Sequence, residues 1–98
     1  MVAMPQPTPD LTEAQQAVQE RRRVSLGTTI ARLRLERDMT QTQLAAAVSV
    51  SKRSVIRIEQ GQTSLTLDIL GRYADALGIR RSKLLRLSEE QDAANHGR

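Results

Sequence analysis

The stretch from Thr40 to Gly61, TQTQLAAAVSVSKRSVIRIEQG, decides how the rest of the chain is read. Thr40, with Gln43 three residues on, is the pattern that opens a helix, because hydroxyl and amide each satisfy a backbone N–H of the other residue. Leu44, Ala45 and Val48 then recur at helical spacing and share one face. Ser49–Val50 interrupts the pattern, Ser51 opens a second helix, and Gly61 marks its end. In that second helix Val55 and Ile58 lie three apart on one side, and Lys52, Arg53, Ile56 and Arg57 fall on the other. The spacing predicts two short helices at a steep angle across a tight turn, with a basic outer face on the second: a helix-turn-helix.

Composition narrows what such a unit can do. With 98 residues there is room for one domain. Cysteine is absent, so neither disulfides nor thiolate metal sites support the fold. The apolar runs are too short for a membrane span or a signal-peptide core, which predicts a soluble, cytoplasmic chain with no membrane partner. Tyr73 is the only aromatic residue, too few for the stacking platform that binds single strands. The net charge of +4 conceals an uneven spread. Residues 21 to 86 hold fourteen basic and five acidic side chains, whereas both ends are weakly acidic. A basic middle between acidic ends fits a polyanion-binding domain. His96, the only histidine, lies in the tail, and no glycine loop could cradle phosphate, so no catalytic centre, metal or cofactor is expected.

Outward from the central stretch the chain reads as further helices. Residues 1 to 9 carry all three prolines and no periodicity, which predicts disorder. Asp10 to Glu13 reads as a helix start. Leu11, Ala14 and Val18 follow at helical spacing, giving an extra N-terminal helix to about Arg23. Arg21, Arg22 and Arg23 close it, either as an arm for phosphate or the minor groove or as a solvated helix end. A separate helix should run from about Leu26 to Arg37, with Leu26, Ile30 and Leu33 inward. Beyond Gly61 comes a polar loop, Gln62 to Ser64. Thr66 then caps a helix carrying Leu67, Leu70, Ala74 and Leu77 to Gly78. Gly71 inside it costs roughly 1 kcal/mol relative to Ala. Ser82 should cap a short last helix with Leu84, Leu85 and Leu87. The resulting organisation is an extension over 1–24, an all-α domain over 25–87 and a polar tail over 88–98.

Residues 26 to 86 resemble the Xre-like helix-turn-helix family that includes Cro and the lambda-type repressors. The resemblance rests on Ile30, Leu33 and Arg34, on T-Q-x-Q-L-A at Thr40 to Ala45, and on V-S-K-R-S-V-I-R-I-E-Q-G at Val50 to Gly61. Tyr73-Ala74 and A-L-G-I at Ala76 to Ile79 complete it. It implies a five-helix, lambda-repressor-like domain whose second helix directs its N-terminus, with Gln41, at a phosphate. The third helix then lies in the major groove and reads bases through Ser51, Lys52, Arg53, Ile56 and Arg57, with Ser54 and Gln62 on phosphate. Arg53, Lys52 and Arg57 can each donate to guanine, and Ile56 can meet a thymine methyl. For Arg57 a surface ion pair is the competing reading. Arg34 and Glu59 take the family's positions for an ion pair between the first and third helices. Two departures stand out: Ser49 where the family has Gly in the turn, and Leu65 where Pro is frequent.

The function these readings imply is a transcriptional regulator, a repressor binding a palindromic operator in double-stranded DNA as a homodimer. Leu84, Leu85 and Leu87, or Leu11, Ala14 and Val18, offer the dimer surface. A phage or plasmid repressor, a restriction–modification controller and an antitoxin all fit, the last using a tail to hold a protein partner. A protein-binding adaptor on the same fold is the other class, and it predicts a neutral or acidic third helix.

Overall fold

The computed structural model describes residues 11–96, and within them the chain forms five helices and no strand. They are α1 (Glu13–Glu36), α2 (Gln41–Val48), α3 (Lys52–Glu59), α4 (Leu67–Leu77) and α5 (Arg81–Asn95). The expectation for residues 1 to 9, and Asp10 as a helix start, lie outside the described residues.

Four of the five starts follow from local chemistry. Thr12 with Gln15 and Thr40 with Gln43 form reciprocal capping boxes on α1 and α2. Ser51 accepts from the Ser54 N–H on α3, and Thr66 from the Ile69 N–H on α4. Such a cap is worth about 1 kcal/mol relative to Ala. The box that opens α1 is thus Thr12–Gln15, shifted two residues along from the expected Asp10–Glu13. The fifth start departs from expectation, since α5 begins after Arg80 with no side-chain cap and Ser82 sits inside its first turn. After Gly78 turns left-handed at φ 73°, Ile79 N–H returns to the Ala74 carbonyl, so the link to α5 is too short to wait for a capping serine. Packing overrides the local signal here.

The two expected N-terminal helices are one. Nothing between Arg23 and Leu26 breaks a helix, and α1 runs unbroken for 24 residues. Asp92 on α5 fastens this stretch, accepting from Ser25 Oγ within the expected gap at 3.1 Å and from Arg21 Nε before it at 3.2 Å. The arginine triplet therefore lies within a helix rather than at its end. Arg21 is tied to Asp92 and Arg23 donates to the Gly61 carbonyl at 3.4 Å, leaving Arg22 exposed. Likewise, the expected polar tail is helical as far as Asn95, because α5 continues along α1 beyond Leu87.

The core gathers Ile30 and Leu33, Leu44, Ala45 and Val48, Val55 and Ile58, then Leu70, Tyr73, Ala74, Leu77 and Leu84. Leu67 is not among them and is 66% exposed, while Leu65 from the preceding loop packs partly inward. Two backbone features set how α3 is held against its neighbours. Ser49 adopts φ 66°, so the left-handed turn is made by a residue with a Cβ, at a cost of about 1–2 kcal/mol. Gly27 lets α1 touch the end of α3, since a Cβ there would lie 2.3 Å from the Ile58 carbonyl oxygen and 2.6 Å from that of Glu59. Gly71 meets only the Arg81 side chain at ordinary contact distance, so nothing in its surroundings demands glycine.

Gly27→Ala should therefore lower stability by about 1–3 kcal/mol, through forced separation of α1 from α3. Urea unfolding checks this, and a wild-type midpoint would contradict the close approach.

Tyr73 gives a second test. Its side chain is fully buried, and its hydroxyl finds no hydrogen-bond partner among the described residues. Burial, helped by the negative charge of Glu59, pushes the phenol up to about 12. The neutral phenol is the form the fold prefers, so stability is intact below the ordinary pKa of about 10 and falls as pH rises from there towards about 12. The expected slope is about 1.4 kcal/mol per pH unit. Tyr73→Phe should abolish that component of the alkaline loss while keeping full stability at neutral pH, as read from denaturant titrations at both pH values.

Candidate nucleic-acid interface

On α3, Val55 and Ile58 face the core, and this fixes the direction of every other side chain on the helix. Lys52, Arg53 and Arg57 are exposed, with Ile56 partly exposed between them. At 100° per residue these four span less than half the circumference, and Gln60 completes the same arc. Ser51 opens the helix, its hydroxyl oxygen accepting from the Ser54 N–H and its O–H left to donate outward. The N–H groups of Lys52 and Arg53 remain without an intrahelical partner, as at any helix start.

The three cations of this face have no ion-pair partner among the described residues. The ion pair weighed for Arg57 is absent there. Arg57 contributes only its backbone carbonyl, which accepts from the Gln62 N–H at 2.9 Å and folds the loop back against α3. Three unpaired cations on one exposed face of an eight-residue helix concentrate positive field outward.

Beside this face is a cleft of about 310 Å³, lined on one side by Arg53, Ser54 and Arg57 and on the other by Thr63, Ser64 and Thr66. The sequence gives Thr66 a capping role and places Thr63 and Ser64 in a polar loop, but assigns none of the three to this face. The polar loop after Gly61 was the available signal, but only the fold shows that it runs alongside α3. Gln62 is exposed at the near end of that loop.

Gln41 is the first residue of α2 and is partly buried. Its amide Nε2 donates to Glu59 Oε1 at 3.0 Å, which places the start of α2 beside the end of α3. The same carboxylate is gripped by Arg34. Nε donates to Oε2 at 2.7 Å and Nη2 to Oε1 at 3.1 Å, while Nη1 donates to the Met39 carbonyl at 2.9 Å. The two charged side chains are 10% and 6% exposed. Arg34 and Glu59 thus form a bidentate, nearly dry pair, a geometry only arginine supplies.

Two short helices across a tight turn, the second with an unpaired basic outer face, are the arrangement found in helix-turn-helix regulators of transcription, a class of DNA-binding proteins. The helix-turn-helix family model matches residues 30–84, more than half of the chain, and the chain belongs to that family. Among solved structures, it is similar to the clp gene regulator ClgR from Corynebacterium glutamicum, with 24% identity and a TM-score of 0.75 over 78% of this chain and 81% of the other. At that identity the likeness speaks for the fold. It is also similar to the restriction-modification controller protein C.AhdI from Aeromonas hydrophila, with 28% identity and a TM-score of 0.61 over 62% of this chain and 92% of the other. No curated protein matches the chain.

The two groups of charged residues should separate in a paired experiment. Glu59→Ala strands Arg34 in a dry site and should cost about 3–5 kcal/mol of stability. Arg53→Ala, on the open face, should leave the thermal midpoint unchanged. A melt with the reverse order would undo both assignments.

Proposed function

We propose that this protein is a transcriptional repressor that binds a palindromic operator as a homodimer, laying α3 in the major groove. The observation that carries the reading is the exposed, unpaired set Lys52, Arg53 and Arg57 around Ile56. Arg53, Lys52 and Arg57 donate to guanine O6 and N7, and Ile56 packs on a thymine methyl. Ser51 reaches a base edge from the helix start. Gln41 and Ser54 meet phosphates on either side, and Gln62 meets another from the loop. Such a face argues against an adaptor that uses this fold to bind protein, for which a neutral or acidic surface is expected.

Dimerisation follows from how little DNA one copy reads. A single short helix spans a few base pairs, and two copies about one helical turn apart (~34 Å) double the contacts while matching a palindrome. Leu67 and Leu85 are exposed and line one groove with Leu65 and Leu70, which offers apolar area for a second copy. Of the last-helix leucines, Leu84 is fully buried and serves the core. Repression then needs no catalytic step, since an occupied operator excludes other proteins from the same duplex.

Selection from a random duplex library should return inverted half-sites containing G·C pairs, with centres about one helical turn apart. Against the selected site, Arg53→Ala should cost about 1–3 kcal/mol of discrimination at one base position, and affinity should fall steeply with salt. Recovery of unrelated sequences with a flat salt response would end the DNA-reading interpretation and favour the adaptor.

A further inference from the structure

We propose that Glu59 is a positioning residue for DNA binding as well as half of the buried ion pair: it holds the Gln41 amide at the start of α2 for a phosphate of the duplex. This rests on the DNA-binding reading above and goes beyond it, by linking the phosphate contact to the pair that fastens α3 to α1.

Glu59 Oε1 accepts from two donors at once, Arg34 Nη2 at 3.1 Å and Gln41 Nε2 at 3.0 Å. Since the carboxylate is 6% exposed, Arg34 and Gln41 stand in for solvent around it. An amide nitrogen carries two hydrogens. Glu59 takes one and the other remains for an anion. A glutamine in water has several rotamers to lose on binding, and here the choice is made when the chain folds.

The surrounding backbone points the same way. The Thr40–Gln43 box consumes the N–H groups of Thr40 and Gln43. Those of Gln41 and Thr42 are left without an intrahelical partner at the positive end of α2. The Gln41 side chain is anchored at that same end. A lone carboxylate here would repel phosphate, but the two-point grip of Arg34 makes the cluster neutral. Charge on Glu59 therefore orients Gln41 without opposing the DNA.

A double-mutant cycle separates positioning from stability. Gln41→Ala is made in the wild-type protein and in Arg34→Met/Glu59→Leu, where both charges are replaced by apolar groups and neither is stranded. The probe is a mixed-sequence DNA duplex of about two helical turns, read by fluorescence anisotropy at low salt and below every melting point. Gln41→Ala should weaken the wild type by about tenfold, as expected for one hydrogen bond to a charged group, and the apolar background by about twofold at most. Gln62→Ala, which touches neither charge, should have the same effect in both. An equal loss from Gln41→Ala in the two backgrounds, or none in the wild type, overturns the proposal. Failure of the wild-type protein to bind the duplex would instead overturn the DNA-binding reading. Nitrogen-15 relaxation of the Gln41 side-chain amide in the wild type tests the same point without any variant. An order parameter near that of the backbone supports the anchor, and a freely rotating amide sinks it.

Discussion

The contact between Arg34 and Glu59 constrains more of this molecule than any other. It joins the last turn of α1 to the last residue of α3, and through Met39 and Gln41 it reaches the start of α2. Two charges taken out of water lose several kcal/mol of hydration each, and their mutual attraction recovers this only where the geometry is good. Here both carboxylate oxygens and all three guanidinium nitrogens have partners. The net contribution to stability is small, but any arrangement of α1, α2 and α3 that separates the pair leaves a dry, unmatched charge. The pair thus acts against wrong packings more than in favour of the right one.

That constraint needs a backbone able to meet it. For Glu59 to reach Arg34, the end of α3 must come against α1, and Gly27 supplies the space by presenting no Cβ to the Ile58 and Glu59 carbonyls. Gly61, at φ 72°, ends the helix against the backbone of Val24, where a Cβ would lie 2.8 Å from the Val24 Cα. Ser49 bears a left-handed conformation at the other side of the pair of helices. Its strain of about 1–2 kcal/mol is offset by the burial of Leu44, Val48, Val55 and Ile58, each worth about 1.5–3 kcal/mol. The turn is held by what it brings together rather than by its own preference.

Much of this was legible in the chain itself, because helix starts and buried stripes are local patterns. Thr40–Gln43, Ser51, Thr66 and Gly78 each act where the sequence places them. What the sequence concealed is non-local. The tie from α1 to α5 runs through Asp92, sixty-seven residues from Ser25 along the chain. Leu67 belongs by spacing with Leu70 and Leu77, yet the tight entry into α4 turns it outward and lets Leu65 fill the space. The basic face of α3 could be read because Val55 and Ile58 fix its orientation. The attachment of Gln41 to Glu59 could not, since they stand eighteen positions apart in the chain, with a turn between. That Thr63, Ser64 and Thr66 line a cleft beside Arg53 and Arg57 was concealed for the same reason.

The arginines show why net charge alone says little about such a protein. Along α1 most of them, though not Arg22, serve the fold. Arg21 holds Asp92, Arg23 the Gly61 carbonyl, and Arg34 Glu59; just past the helix, Arg37 donates to the Leu77 carbonyl at 2.6 Å. Each cation held this way has part of its field cancelled at short range. Lys52, Arg53 and Arg57 are held by no acidic side chain among the described residues, and they sit on one exposed arc of one helix. A long-range field is set by charges without close counter-charges, so the three on α3 count towards what a duplex feels in a way that Arg21 and Arg34, each beside a carboxylate, do not. Adding a cation to α1 and adding one to α3 are therefore different operations: the first alters what holds the helices together, the second what the surface attracts.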